Sequence, residues 1–167
     1  MKTKIEITES EYRRFKFLEN LFDSQRRITV YLEQLTKRKG SKVVAVDFDG
    51  TIVKHAYPEI GDPVPLAIEA LLQFEQRGWR IILNTMRGGE YLQQAVDYLE
   101  TAGITLYGVN TNPTQKHWTE STKCYAPLYI DDAALGCPLI YPLDERPFVD
   151  WMAIFYLMGW DAELENK

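Results

Sequence analysis

Along the first forty positions Tyr12, Phe15, Leu18, Phe22, Thr29, Leu32 and Leu35 recur at intervals of three, four or seven, the spacing of one helical face. Thr8-Glu9-Ser10-Glu11 ahead of them matches a capping box, in which a hydroxyl and a carboxylate satisfy opposite orphan N–H groups of a first turn. Asp23-Ser24 reads as a break that divides the stretch into two helices. Lys37-Arg38-Lys39-Gly40 closes it, with cations and a glycine where a helix C-terminus favours them. Residues 1–40 are therefore expected to form a helical extension, bounded at Gly40-Ser41.

Beyond that boundary, β-type and α-type patterns alternate. Lys42–Val46 is a short β-branched run that fits a buried parallel strand. Pro65–Gly78 reads as a helix whose apolar face holds Leu66, Ile68, Ala70, Leu71, Leu72 and Phe74. Trp79–Asn84 is a second strand, Gly89–Ala102 a helix closed by Gly103, and Ile104–Val109 a third strand. Pro127–Ile130 is a fourth strand and Pro138–Tyr141 a fifth. Phe148–Met158 reads as a final helix, opened by Pro147 and stopped by Gly159. Strands separated by helices imply βαβ units and a parallel sheet covered on both faces. Residues 41–160 thus form the expected α/β domain, and residues 161–167 a tail.

Composition narrows the class. The chain has 167 residues, 46% of them hydrophobic, which suits one core without disulfide or metal staples. Two cysteines, Cys124 and Cys137, fit a reducing compartment and make no metal-ligand spacing. No signal-peptide core and no run of 18 apolar residues is present, so a cytoplasmic protein without a membrane partner is expected. Charge is divided unevenly: residues 1–40 carry a net +4 and residues 41–167 a net −9. An acidic body argues against broad binding of duplex nucleic acid, which depends on phosphate neutralisation.

Ligands of open parallel sheets bind at the carboxyl ends of the strands, so the polar residues there are the ones to inspect. The first strand runs into Asp47-Phe48-Asp49-Gly50-Thr51. Alternation can point both carboxylates one way while Phe48 turns inward, and Gly50 permits an unusual turn. Two such carboxylates repel unless a cation lies between them. The fourth strand delivers a second acidic pair, Asp131-Asp132. Either pair alone is also readable as a turn or a helix cap. Two pairs converging on one edge favour a site for a hard cation such as Mg²⁺. Thr85 closes the second strand as a hydroxyl donor or as a cap, and Lys123 lies on the approach to the fourth.

DFDGT after a hydrophobic strand, a Thr closing the second, a Lys, and DD closing the fourth resemble the four motifs of haloacid dehalogenase-like (HAD) phosphohydrolases. The likeness covers about residues 42–158 and is closest to small, capless bacterial and phage members. It implies a Rossmann-like three-layer α/β/α sandwich and phosphatase activity on an accessible monoester: a nucleotide, a nucleic-acid end or a phosphosugar. It makes Asp47 the nucleophile and Asp49 the acid and base, with Thr85 and Lys123 on the phosphoryl oxygens. Lys116 is the substitute for Lys123. Mg²⁺ would be held by Asp47, the Asp49 carbonyl, Asp131 and Asp132. Gly50, Thr51, His55, Met86 and Arg87 would border the substrate, with Tyr57, His117 and Trp118 on loops near the mouth. Tyr57 and Trp118 could stack on a base or cover the core.

Two other classes compete with this reading. One is a non-catalytic phosphate-binding scaffold acting through residues 1–40, against which the intact motif residues argue. The other is a receiver-type phosphoacceptor, whose acidic pair, acceptor Asp and Thr would close different strands from those seen here. Residues 1–40 either mediate self-association, dock a partner or substrate, or pack on the sheet domain and complete its core.

Overall fold

The computed structural model describes residues 8–37 and 42–160. The Gly40-Ser41 boundary and the 161–167 tail lie outside the described residues. The first element, α1 (Glu9–Lys37), is one continuous helix of 29 residues, so Asp23-Ser24 does not break it. Neither residue is a Gly or Pro, and each costs a helix interior only a few tenths of a kcal/mol, about what neighbouring turns absorb. Leu32 and Leu35 near its end are buried in the main core, and this end packs against the last helix. Tyr12, Phe15 and Phe17 are exposed.

The strands are β1 (Val43–Val46), β2 (Arg80–Leu83), β3 (Leu106–Val109) and β4 (Leu128–Ile130). They form a parallel sheet in the order β3-β2-β1-β4, flanked by helices in a Rossmann-like α/β arrangement. β1 lies inside the sheet, paired on both sides, and its four residues are all buried. This explains the unbroken Val-Val-Ala-Val run, since a strand covered on both faces has no reason to alternate.

The remaining helices are α2 (Ala67–Gln76), α3 (Gly89–Thr101) and α4 (Trp151–Met158). Ala67, Ala70, Leu71 and Phe74 of α2, Ala95 and Leu99 of α3, and Trp151, Ile154 and Phe155 of α4 share one core with Val44, Val46, Ile81 and Leu83. On the opposite face Val43, Ala45 and Ile82 meet Cys124, Ala126 and Tyr107 instead. The second helical layer of the expected α/β/α sandwich is replaced among the described residues by the β3–β4 connection, which holds only the 3₁₀ turn Gln115–His117. That connection is rich in Asn, Thr, Ser and Pro, residues that compete for backbone hydrogen bonds or cannot donate them.

The C-terminal part differs from expectation at one point. Phe148-Val149 is a strand, β6, paired antiparallel with β5 (Leu139–Ile140) and separate from the main sheet. The helix starts only at Trp151, where the Asp150 carboxylate accepts from the Ala153 N–H. An N-cap at Asp150 outweighs Pro147 as the start signal. No helix among the described residues is long and apolar enough to cross a membrane.

Candidate metal and phosphate site

The parallel ladder continues one residue past the strands. The Asp47 N–H donates to the Ile130 carbonyl (3.0 Å), the Asn84 N–H to Val46 (2.8 Å) and the Asn110 N–H to Leu83 (2.7 Å). Asp47, Asn84, Asn110 and Asp131 therefore leave the sheet along a single edge. Asp47, Asp131 and Asp132 are half-buried, with one carboxylate oxygen from each lying within 4.8 Å of the others. Burial pushes the Asp47 carboxyl up to about 7; the Phe48 N–H opposes this, and the carboxylates of Asp131, Asp132 and Asp49 add to it. Three carboxylate donors without thiol or imidazole suit a hard divalent cation, and the cluster could hold a metal ion.

The turn after β1 is over-determined. Gly50 has φ +80°, and a Cβ there would lie 2.3 Å from His55 Nε2 and 2.5 Å from Asp132 Oδ2. Glycine is favoured by the backbone conformation, and a Cβ there would push apart the tips of that side-chain pair. His55 Nε2 and Asp132 Oδ2 are themselves 2.9 Å apart. Thr51 is fully buried; its hydroxyl donates to Asp47 Oδ2 at 3.4 Å and accepts from the Asp132 N–H at 3.2 Å. The Val149 N–H donates to the Gly50 carbonyl and Trp151 Nε1 to the Thr51 carbonyl. β6 and α4 thereby hold the turn from behind. Gly50 and Thr51, expected to border the substrate, form the buried frame of the site.

Asp49 does not join the cluster with its side chain. Arg87 Nε donates to Asp49 Oδ2 (2.8 Å) and Nη2 to Oδ1 (2.7 Å), a two-pronged ion pair. The same guanidinium donates to the carbonyls of Pro58 and Glu59, and its carbon lies 5.0 Å from the Phe48 ring centroid and 5.4 Å from that of Tyr57. Arg87 is 3% exposed, so it is no open substrate contact. Five fixed N–H groups on a planar cation explain the inward course, since each of these partners is an acceptor in the right plane.

Thr85 is buried at the end of β2, and its hydroxyl accepts from the Arg87 N–H. Its backbone is held from both sides by Asn110, whose Oδ1 accepts from the Thr85 N–H and whose Nδ2 donates to the Thr85 carbonyl. Asn110 has φ 52°, a left-handed conformation that Asn tolerates better than most residues. The sequence reading passed over it, although its place at the end of the third strand was the available signal. Gln115 was also missed. It is buried, donates to the carbonyls of Ser121 and Lys123, and accepts from the Tyr125 N–H. It thereby staples the loop that carries Lys123.

Lys123 and Lys116 are both exposed, and among the described residues neither forms an ion pair with the Asp cluster. Lys116 lines a recess of about 550 Å³ with Thr111, Thr119, Ser121 and Thr122. Met86 is fully exposed, His117 exposed on the 3₁₀ turn, and Trp118 exposed with an edge-to-face contact to Tyr125. Tyr57 is exposed and does not cover the core.

No family model and no curated protein matches the chain. Among solved structures it is similar to a conserved protein from Bacteroides thetaiotaomicron, with 35% identity and a TM-score of 0.58. The match covers 77% of this chain and 93% of that one. At that identity and coverage, the chain belongs to the same family as the conserved Bacteroides protein.

Proposed function

We propose that the protein is a Mg²⁺-dependent phosphohydrolase of the capless HAD type, acting on an accessible phosphate monoester. The observation that carries this reading is the convergence of Asp47, Asp131 and Asp132 within 4.8 Å, on the edge where Thr85 closes the adjacent strand. A bound Mg²⁺ would neutralise these carboxylates and the charge of the phosphoryl group, held by Asp47, Asp131, Asp132 and the Asp49 carbonyl. Asp47 attacks phosphorus and the ester oxygen departs, giving an aspartyl-phosphate and an alcohol. Water then attacks that phosphorus, releasing phosphate and restoring Asp47. Asp49 is assigned as the acid for the departing oxygen and the base for the water; the two-pronged Arg87 pair orients its ionised form, the one that takes the proton from the water. The Thr85 hydroxyl, and Lys123 or Lys116, stabilise the phosphoryl oxygens. Connections of this length form no inserted domain over the edge: between β1 and α2 the described residues make only isolated bridges.

Release of phosphate from p-nitrophenyl phosphate, with and without Mg²⁺, tests the reading. Activity is expected to vanish in excess chelator and to fall by orders of magnitude in Asp47→Asn. Undiminished turnover in either case refutes it.

A further inference from the structure

Each carboxylate of the Asp cluster accepts a hydrogen bond, and the three donors differ in origin. Asp47 Oδ2 accepts from the Thr51 hydroxyl and Asp131 Oδ1 from the Ala133 N–H, both a few residues away in the same turn. Asp132 Oδ2 instead meets Nε2 of His55, 77 positions earlier, at 2.9 Å. Among the described residues His55 is the one hydrogen-bond donor to the Asp132 carboxylate. An ionised carboxylate only accepts, so Nε2 carries the proton of this bond. The two side chains are 16% and 15% exposed, which limits water as a substitute donor. The ring is delivered by pinned backbone: the Gly50 N–H donates to the Val53 carbonyl and the Lys54 N–H to the Asp62 carbonyl, both at 2.7 Å. Lys54 Nζ is in turn paired with Glu145 at 2.7 Å.

We propose that His55 is a positioning residue for the divalent cation: by holding Asp132 Oδ2 it keeps that carboxylate beside Asp47 and Asp131, and so raises the affinity of the site. The inference rests on the cation site of the phosphohydrolase reading and adds to it a residue that is not a ligand. Three carboxylates within 4.8 Å repel one another when no cation lies between them, and a side chain free to rotate relieves this by turning away. The bond from His55 opposes that rotation before the cation arrives, so less binding energy is used in gathering the ligands. Nε2 donates to Asp132 and has no free lone pair for a cation; the ring acts through the carboxylate.

Calorimetric titration of Mg²⁺ and of Mn²⁺ into the full-length protein, at fixed pH and without any ester, tests this in wild type, His55→Phe and His55→Gln. His55→Phe keeps a ring without the donor and is expected to weaken both cations by about tenfold or more. His55→Gln loses the ring, but its amide nitrogen is as many bonds from Cα as Nε2; its affinities are expected to stay within about threefold of wild type. Affinity in His55→Phe within about twofold of wild type overturns the inference, as does His55→Gln binding as weakly as His55→Phe, because the donor is then not what sets the affinity. A loss about tenfold greater for Mn²⁺ than for Mg²⁺ also overturns it, since that marks the imidazole as a direct ligand. Turnover of p-nitrophenyl phosphate is measured on the same preparations. Wild type that binds Mg²⁺ but hydrolyses no ester overturns the phosphohydrolase reading and leaves the role of His55 standing; wild type that binds neither cation overturns both.

Discussion

Replacing Arg87 by Met keeps much of the side-chain volume but removes four hydrogen bonds at once. Two are to Asp49 at 2.8 and 2.7 Å, one is to Pro58 O at 2.9 Å and one to Glu59 O at 2.7 Å. The Arg87 side chain is 1% exposed and that of Asp49 19%, so the abandoned carboxylate is partly, not wholly, shielded from water. Removing one partner of a buried ion pair costs about 3–5 kcal/mol, and the residual access of Asp49 points to the lower end, about 3 kcal/mol. For a chain of this size that corresponds to a fall in Tm of roughly 6–12 °C. Arg87→Lys keeps the charge, but a single ammonium cannot span both Asp49 oxygens and two carbonyls; less than half of the loss is expected to return. Thermal unfolding followed by circular dichroism, at fixed pH without added metal, reads all three proteins. A melting point for Arg87→Met within about 2 °C of wild type would show that the clamp contributes little, and the argument from its geometry would fail.

The Asp47 carboxyl, pushed up to about 7 from an ordinary 3.8, holds a proton in the native state that the unfolded chain has already released between those pH values. Metal-free protein is therefore expected to be most stable on this account below about pH 4 and to lose up to about 4 kcal/mol as pH rises through 7. Asp47→Asn, which cannot ionise, removes that slope; identical pH dependence of the two melting curves refutes the assignment. Gly50→Ala meets both strain and His55 and Asp132 at under 3 Å, whereas Gly78→Ala, at φ +76°, meets strain alone with nothing within 4 Å. Both are expected to lower Tm, Gly50→Ala by the larger amount and by about 1–3 kcal/mol beyond Gly78→Ala; equal losses in the two variants contradict the crowding argument. A chain starting at Ser41 uncovers the core surface that Leu32 and Leu35 bury, and is expected to be less stable by at least about 2 kcal/mol in urea unfolding. An unchanged midpoint would mean that the end of α1 contributes nothing to that core.

Which residues reach the candidate site was largely legible one strand at a time. Each strand of the sheet is a short apolar run closed by a polar residue, and parallel pairing lines up those closing residues whatever the rest of the chain does. Asp47, Asp131 and Asp132 follow that rule and meet in one cluster, and Asn84 and Asn110 obey it too. The same local logic located the three α/β helices and the glycines Gly103 and Gly159 that end two of them.

Pairings between distant residues followed no local pattern. Nothing in Thr85-Met86-Arg87 tells that Arg87 turns inward to Asp49, 38 positions earlier, rather than out toward a substrate; that depends on acceptors brought to it by another loop. Phe148-Val149 has the composition of either a strand or a helix start, and became a strand because Leu139-Ile140 lies alongside it. The sequence by itself determined the element order and the charged strand ends, because these depend on neighbours a few residues away. Tertiary structure alone decided which charges meet, because an ion pair or a strand partner is chosen from residues that only the folded chain brings within reach.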